Sequence, residues 1–340
     1  MNAPLKVLAA ILVAIHPSLW AADPFAPKTV FSGEYRLTVQ RLSERPIIDY
    51  ASSSTLGDKI NGPSIIRVPD WLPNPLGAYY LYFAHHNGKF IRLAYADRIA
   101  GPWTIHEPGT LTLEQSPAFI GHIASPDVHV DSASRQIRMY YHGSRETTNQ
   151  RTTTAVSADG LHFKASDQVI GSSYFRVFQW EGAHYAIDAH GYLNRSEQWN
   201  AHWAIADEPL VSPITVSDAF GQRDDVRIRH SAVLIKGNTL LLFYTRKADA
   251  PERLLVSEVP FDGDWTQWRA REPVELLRPA VDYEGIQFPI APSKKGGAKE
   301  VQQLRDPYVF VDEDDQPFLF YSVAGEMGLS VAALEIEAAR

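Results

Sequence analysis

Histidines at His85, His86, His142, His190 and His230 make up five of the chain's 12; the first four close short β-branched or aromatic runs and His230 opens one, all at equivalent hairpin ends. Asn61, Asp127, Arg176, Arg305 and Asp306 open such runs, while Arg145, Asp188, Arg246, Lys247 and Glu326 close them. A merely solvated rim would be rich in Lys, Glu and Ser. Brought together, these groups could do acid–base work, since carboxylates and imidazoles exchange protons near neutral pH. Guanidiniums hold hydroxyls or a carboxylate through paired N–H donors, and Trp or Tyr faces take the C–H face of a ring, so the set suits a sugar. Glycosidic cleavage needs a proton donor to the leaving oxygen and a base to activate water. Any one of these histidines also reads as a structural group; their shared position is the stronger signal.

Whether they meet depends on the elements that carry them. In Ser125-Pro126-Asp127-Val128-His129-Val130-Asp131, apolar and polar residues alternate, and Ile137 to Tyr141 is β-branched and aromatic after a polar turn. That is a hairpin, and its two ends lie at one sheet edge. The pattern recurs at Pro63–Val68 with Tyr79–His86, Tyr174–Phe178 with His184–Gly191, His230–Asn238 with Leu240–Lys247, and Arg305–Val311 with Pro317–Glu326. Repeats of three to four short strands, spaced by roughly 45–70 residues, predict an all-β chain folded as a five-bladed β-propeller. No unit can bury both faces of its sheet alone. A β-sandwich is the competing architecture, disfavoured because the polar ends recur in register. Blades are expected over 61–110, 122–170, 172–210, 228–277 and 304–337, forming one domain over 61–340. Residues 23–60 read as an arm closing onto the first or last blade, and Phe288–Ala298 as a lid loop. A propeller axis ends in a funnel, so the polar ends should converge on one pocket.

The chain has 340 residues, 45% of them hydrophobic, enough for a large core. Its formal net charge of -8, without a basic tail or stripe, argues against a nucleic-acid partner. Without cysteine there is no disulfide and no thiol chemistry. Lys6 precedes the apolar run Val7–Ile15, and Trp20-Ala21-Ala22 offers small residues for cleavage. Residues 1–22 therefore read as a secretory signal, which predicts export to the periplasm or beyond. The run is too short to span a bilayer.

Ser125-Pro126-Asp127-Val128-His129, Arg305-Asp306-Pro307 and the Pro63-Ser64-Ile65-Ile66-Arg67-Val68 hairpin resemble the five-bladed enzymes of glycoside hydrolase family 43 and relatives such as family 117. The likeness spans the five blades. It implies a base Asp heading blade one, an orienting Asp in a Pro-Asp-Val setting, and an acid Glu heading a later blade. Asp127 matches the orienting aspartate. The blade-one position reads Asn61-Gly62-Pro63, without a carboxylate, and His230 stands where the acid Glu would be. Family 117 is similar in using a His as general acid, and a carboxylate such as Asp127 would raise the pKa of His230 for that role. Glu284, Asp58 and Asp306, in that order, are the candidates for the base.

Arg145, Arg176, Arg227, Arg229, Arg246 and Arg305 exceed what a neutral sugar needs and suggest an anionic glycan, unless local Asp and Glu such as Asp224 and Asp225 pair them. The leading expectation is an exported, exo-acting, inverting glycoside hydrolase with Asp127, His230 and Glu284 as catalytic groups. A glycan-binding propeller without activity, a polysaccharide lyase and a glycoside phosphorylase are the other readings. No cofactor is required, and a Ca2+ on the axis is compatible with His129 and its neighbouring carboxylates.

Overall fold

The computed structural model describes residues 23–145, 150–217 and 223–339. The expected signal over 1–22 lies outside the described residues. The chain is all-β, with five antiparallel sheets around an axis. The innermost strands are Asn61–Arg67, Ile123–Asp131, Arg176–Trp180, Ile228–Lys236 and Arg305–Val311, and each pairs with the next strand in sequence.

Second strands such as Tyr79–Ala84 and Thr239–Arg246 are apolar on both faces and buried almost throughout. Strict alternation would leave one face wet, but a blade is covered on both sides. Five hydrophobic clusters fill the five gaps between blades. Between blades one and two, Tyr80, Tyr82 and Leu93 meet Ile123, Val128 and Met139. Between four and five, Leu241, Phe243 and Val256 meet Leu319, Tyr321 and Val323. Each fully buried Leu or Phe contributes about 1.5–3 kcal/mol, so packing between blades holds the ring together.

The N-terminal arm supplies the outer strands of blade five. Tyr35–Arg41 pairs with Gly328–Ala338 and Lys28–Ser32 pairs with Tyr35–Arg41. The two ends of the chain thus share one sheet, which closes the ring. Arg41 in this arm reaches Glu284, with Nε 2.7 Å from Oε1 and Nη2 2.8 Å from Oε2. Among the described residues, no helix is long and apolar enough to cross a membrane.

One irregularity sets up the site. Four inner strands share a register shift at the same place, between Asn61 and Ser64, Ala124 and Asp127, Ile228 and Ser231, and Arg305 and Tyr308. Such bulges re-aim side chains. The residue after the shift begins is left-handed at Gly62, Ser125 and Asp306, and Tyr174 takes the same conformation just before the inner strand of blade three. For the non-glycine residues this costs roughly 1–2 kcal/mol each, and it turns them inward at one end of the axis. Blade four departs from this, with Arg229 and His230 between its paired positions.

Candidate active site

The bulges divide the inner strands into two levels. Below them, Ser64, Asp127, Arg176, Ser231 and Tyr308 contribute one residue per blade to a ring around the axis. Val128 N–H donates to Ser64 Oγ at 2.8 Å and Val177 N–H to Asp127 Oδ2 at 2.7 Å. Arg176 Nε donates to the Ser231 carbonyl and Nη1 to that of Pro126. These bonds stitch neighbouring blades together. Burial pushes Asp127 up, but His129 at 3.0 Å, Arg176 and the Val177 N–H outweigh it and hold the carboxylate below its ordinary range. Asp127 and Arg176 line a cavity of about 800 Å3 at the end of the axis away from the bulges, walled by apolar side chains such as Ile66, Phe178 and Leu234. Its buried charges satisfy one another, so the larger cavity is the less reactive one.

Above the bulges lies a funnel of about 450 Å3, whose lining includes Asn61, Ser125, His86, His122, His142, Tyr174, His190, Arg229, His230, Lys247, Lys295 and Asp306. His122, His142, Tyr174 and His230 form a continuous row of rings along one wall, with neighbouring centroids 5.8, 6.3 and 5.3 Å apart. Burial first, and then His122 and Arg176, lower His142 to about 3, so it stays neutral at any ordinary pH.

Two His–carboxylate pairs stand at the bottom. Asp306 is about 1% exposed, and its Oδ1 lies 3.4 Å from His230 Nε2. The backbone N–H of Asp306 donates to His230 Nδ1 at 3.4 Å, which places the proton of the neutral ring on Nε2. Burial, then the nearby Glu326, push Asp306 up to about 7 against the opposing pull of Arg229 and Arg305. Burial, then Arg229 and Arg305, depress His230 well below its ordinary value. Near neutrality the pair therefore carries its proton on the carboxyl. The expected elevation of His230 is reversed because Asp127 sits a level below, while two guanidiniums are its neighbours.

In the second pair, His86 Nδ1 is 3.3 Å from Glu326 Oε1, which also accepts from Arg305 Nη1 at 3.1 Å. Burial alone would raise Glu326, but His86, Arg305 and Arg229 keep it low. A carboxylate anchoring Nδ1 orients the ring and leaves Nε2 as the nitrogen to take a proton, the arrangement of a general base.

Beneath both pairs lies Glu252, fully buried, with Arg305 Nε at 2.9 Å, Arg229 Nε at 3.5 Å and His230 Nδ1 at 3.9 Å. Neither Glu252 nor Tyr174, His122 and Lys295 stood out in the sequence. Tyr174 could have been found, since it holds the bulge position that Ser125 and Asp306 occupy in their blades. Glu252 sits in the turn after the second strand of blade four, where nothing in its spacing marks it.

Several nominated residues lie elsewhere. Glu284 is outside the funnel: besides Arg41 its oxygens accept from Tyr321 OH at 3.0 Å and Ala280 N–H at 2.8 Å, so a water would find no free lone pair. Asp58 is an exposed rim carboxylate held at about 2 by Lys299 and His85, and His85 is occupied by that contact at 3.3 Å. Asp188 accepts the N–H groups of His190 and Tyr192 within a turn. Arg246 lies 3.6 Å from Asp249, and Arg145 is exposed. Among the described residues, no three His, Asp or Glu side chains are placed to hold a metal ion.

No family model matches the chain. A relative from Acanthamoeba polyphaga mimivirus, an uncharacterized protein, is 37% identical over 335 residues, covering 89% of this chain and 91% of that protein. Among solved structures, the GH43_1 enzyme of Xanthomonas citri superimposes with a TM-score of 0.56 at 12% identity, over 87% of this chain and 90% of its own. An N-acetylgalactosamine deacetylase from F. plautii, solved with blood group B trisaccharide, gives 0.54 at 11% identity, over 88% and 95%. At such identities the likeness shows the five-bladed fold.

Proposed function

The chain belongs to the family of the uncharacterized mimivirus protein and has the five-bladed fold of family 43 glycoside hydrolases, and we propose that it is an exported, exo-acting glycoside hydrolase that inverts at a terminal, anionic sugar. The observation that carries this reading is the pairing of two His–carboxylate units of opposite protonation in one funnel. The Asp306–His230 pair is the acid: the protonated carboxyl donates to the leaving oxygen while neutral His230 and Tyr174 hold it in place. His86, oriented by Glu326, is the base that takes a proton from water. The ring row from His122 to His230 packs against the sugar's C–H face. Arg229, Lys247 and Lys295 give the funnel a cationic lining suited to an acidic residue. Histidine thus keeps the acid position that the family 117 resemblance suggested, but as the partner of the proton-bearing carboxyl. The apolar run after Lys6 supports export.

The deacetylase neighbour favours a second reading, in which the same base and acid remove an acyl group from a sugar. Product analysis on acidic, neutral and N-acetylated glycans separates them, with wild type beside Asp306→Asn. A saturated monosaccharide released by wild type and not by the variant supports the hydrolase. Released acetate supports deacylation. Binding without product from either protein would sink both and leave a lectin-like propeller.

A further inference from the structure

The loop over 293–298 carries an unusual contact. Its ends are pinned by backbone bonds, Ser293 N–H to the Asp249 carbonyl at 3.0 Å and Glu326 N–H to the Ala298 carbonyl at 2.8 Å. Its middle is held through carbonyl oxygens. Arg229 Nη2 donates to Gly296 O at 2.6 Å, Arg305 Nη1 donates to the same oxygen at 3.2 Å, and Arg229 Nη1 donates to Lys294 O. Two buried guanidiniums thus converge on one neutral oxygen. Behind them, Glu252 contacts Nε of both arginines and Gln303 Oε1 accepts from Arg305, while on the loop side Ser293 Oγ lies 3.4 Å from Arg229 Nη1. The arginines are therefore fixed from the rear; Arg305 Nη1 is shared between the loop and Glu326 Oε1 at 3.1 Å, and both Nη groups of Arg229 face the loop. A carboxylate matches this pair of guanidiniums better than a single carbonyl, because it offers two acceptor oxygens and an opposite charge where the carbonyl offers one neutral oxygen.

The loop that caps them carries two adjacent glycines. Gly296 has φ +93°, and Gly297 lies so close to the second pair that a Cβ would come within 2.7 Å of Glu326 Oε2 and 2.9 Å of His86 Cγ. Adjacent glycines let the backbone rearrange at low steric cost, and Lys295 between the two capping carbonyls faces the funnel.

We propose that Arg229 and Arg305 form a subsite for the carboxylate of a uronic acid, and that the carbonyls of Lys294 and Gly296 occupy it until the sugar displaces them. The capped state then excludes neutral sugars of the same shape, which offer no charge to compete with the loop, and Lys295 is carried out to meet the incoming anion. This rests on the glycan reading above and names its substrate class.

The probe is D-glucuronate, with D-glucose as uncharged control. Titration calorimetry on the mature protein is expected to give about tenfold or more tighter binding of glucuronate, the size of an added charge-assisted contact. Hydrogen exchange of the amides in 294–297 should speed up with glucuronate and stay unchanged with glucose. Gly296→Ala, strained at its positive φ, opens the loop in advance. Since apparent affinity scales with the competent fraction, it should bind glucuronate about threefold or more tightly than wild type, with glucose unaffected. Arg229→Gln should erase the preference. If that variant does not fold, the exchange data and Gly296→Ala still decide. Equal affinity for the two sugars, failure to bind glucuronate, or a preference that leaves exchange and Gly296→Ala unmoved would each overturn the subsite. Monosaccharide binding needs no turnover, so a protein that cleaves only neutral glycans would lose the subsite and keep the hydrolase. One that binds glucuronate as described yet cleaves nothing would do the reverse.

Discussion

Asp127 and Asp306 start from the same kind of place and end as opposites. Both stand at the bulge of an inner strand, both are 1–2% exposed, and both have a histidine within 3.4 Å. Asp127 follows its bulge, faces the axis, and takes an N–H from the next blade together with His129 and Arg176; it stays charged. Asp306 lies inside its bulge, left-handed at φ 46°, and faces the funnel beside Glu326 and Glu252. Its proton is retained to about 7. Burial is nearly the same in the two, so the neighbours decide: cations and donors make one carboxylate a clamp, and competing carboxylates make the other an acid.

Exchanging each for its amide should split activity from stability. Asp306→Asn keeps the shape and removes the transferable proton, so kcat should fall about 10^2–10^4-fold while the protein remains folded by circular dichroism. Asp127→Asn leaves His129 and Arg176 without their counter-charge. Breaking one side of a buried pair costs about 3–5 kcal/mol, seen as a lower denaturation midpoint, with kcat of the folded fraction preserved within about tenfold. If Asp127→Asn removes turnover at unchanged stability, the assignment of the two levels is wrong.

This pairing also marks how far the sequence could be read. The five hairpins, the ring they form and the end of the axis that gathers His86, His142, His190, His230 and Asp306 follow from strand periodicity and recurring polar ends. The one-level offset does not. A register shift of one residue between Ala124 and Asp127 leaves no mark in composition, so Asp127 reads as if level with Asp306. Glu284 heads the candidates for the base in the sequence; only the closure of the ring by the N-terminal arm, which brings Arg41 across 243 residues of chain, shows that its charge is already used. Glu252 was hidden for the converse reason, lying outside the hairpin ends and reaching the site from below.

The pH dependence of the two carboxylates should run in opposite directions. A group raised in the folded state gives stability that is complete below its unfolded pKa and lost as pH rises through the folded value. For Asp306 the window is about pH 4 to 7, and at 1.36 kcal/mol per unit the loss is on the order of a few kcal/mol. Asp306→Asn should therefore gain stability relative to wild type on going from pH 4 to pH 8, and wild-type kcat/KM should decline above about 7. Asp127 is lowered, so its contribution is present above the unfolded value and lost only as pH falls through the folded one. Chemical denaturation across pH, on both variants, tests the two signs together. A wild-type profile flat through pH 8 would remove Asp306 as the acid.

A smaller effect concerns the base. Glu326→Gln keeps a group beside His86 Nδ1 but withdraws the charge that favours the imidazolium formed when His86 takes a proton. The expected loss is about tenfold in kcat with KM nearly constant. An unchanged kcat would make Glu326 a structural partner of Arg305 and no more.

The smallest effect is expected one residue away. His85 is 3.3 Å from Asp58, the same separation as His86 from Glu326, yet the carboxylate is 57% exposed in the first pair and 1% in the second. Water and salt screen the outer pair, and Lys299 already neutralises Asp58 at 2.8 Å. His85→Ala should shift stability by less than about 0.5 kcal/mol and leave turnover unchanged at any ionic strength, whereas His86→Ala should cost about 10^2-fold or more in kcat. Two adjacent histidines with identical pairing distances would then differ only in what surrounds the partner. A loss of activity in His85→Ala comparable to that in His86→Ala would mean that the rim, and not the buried floor, carries the base.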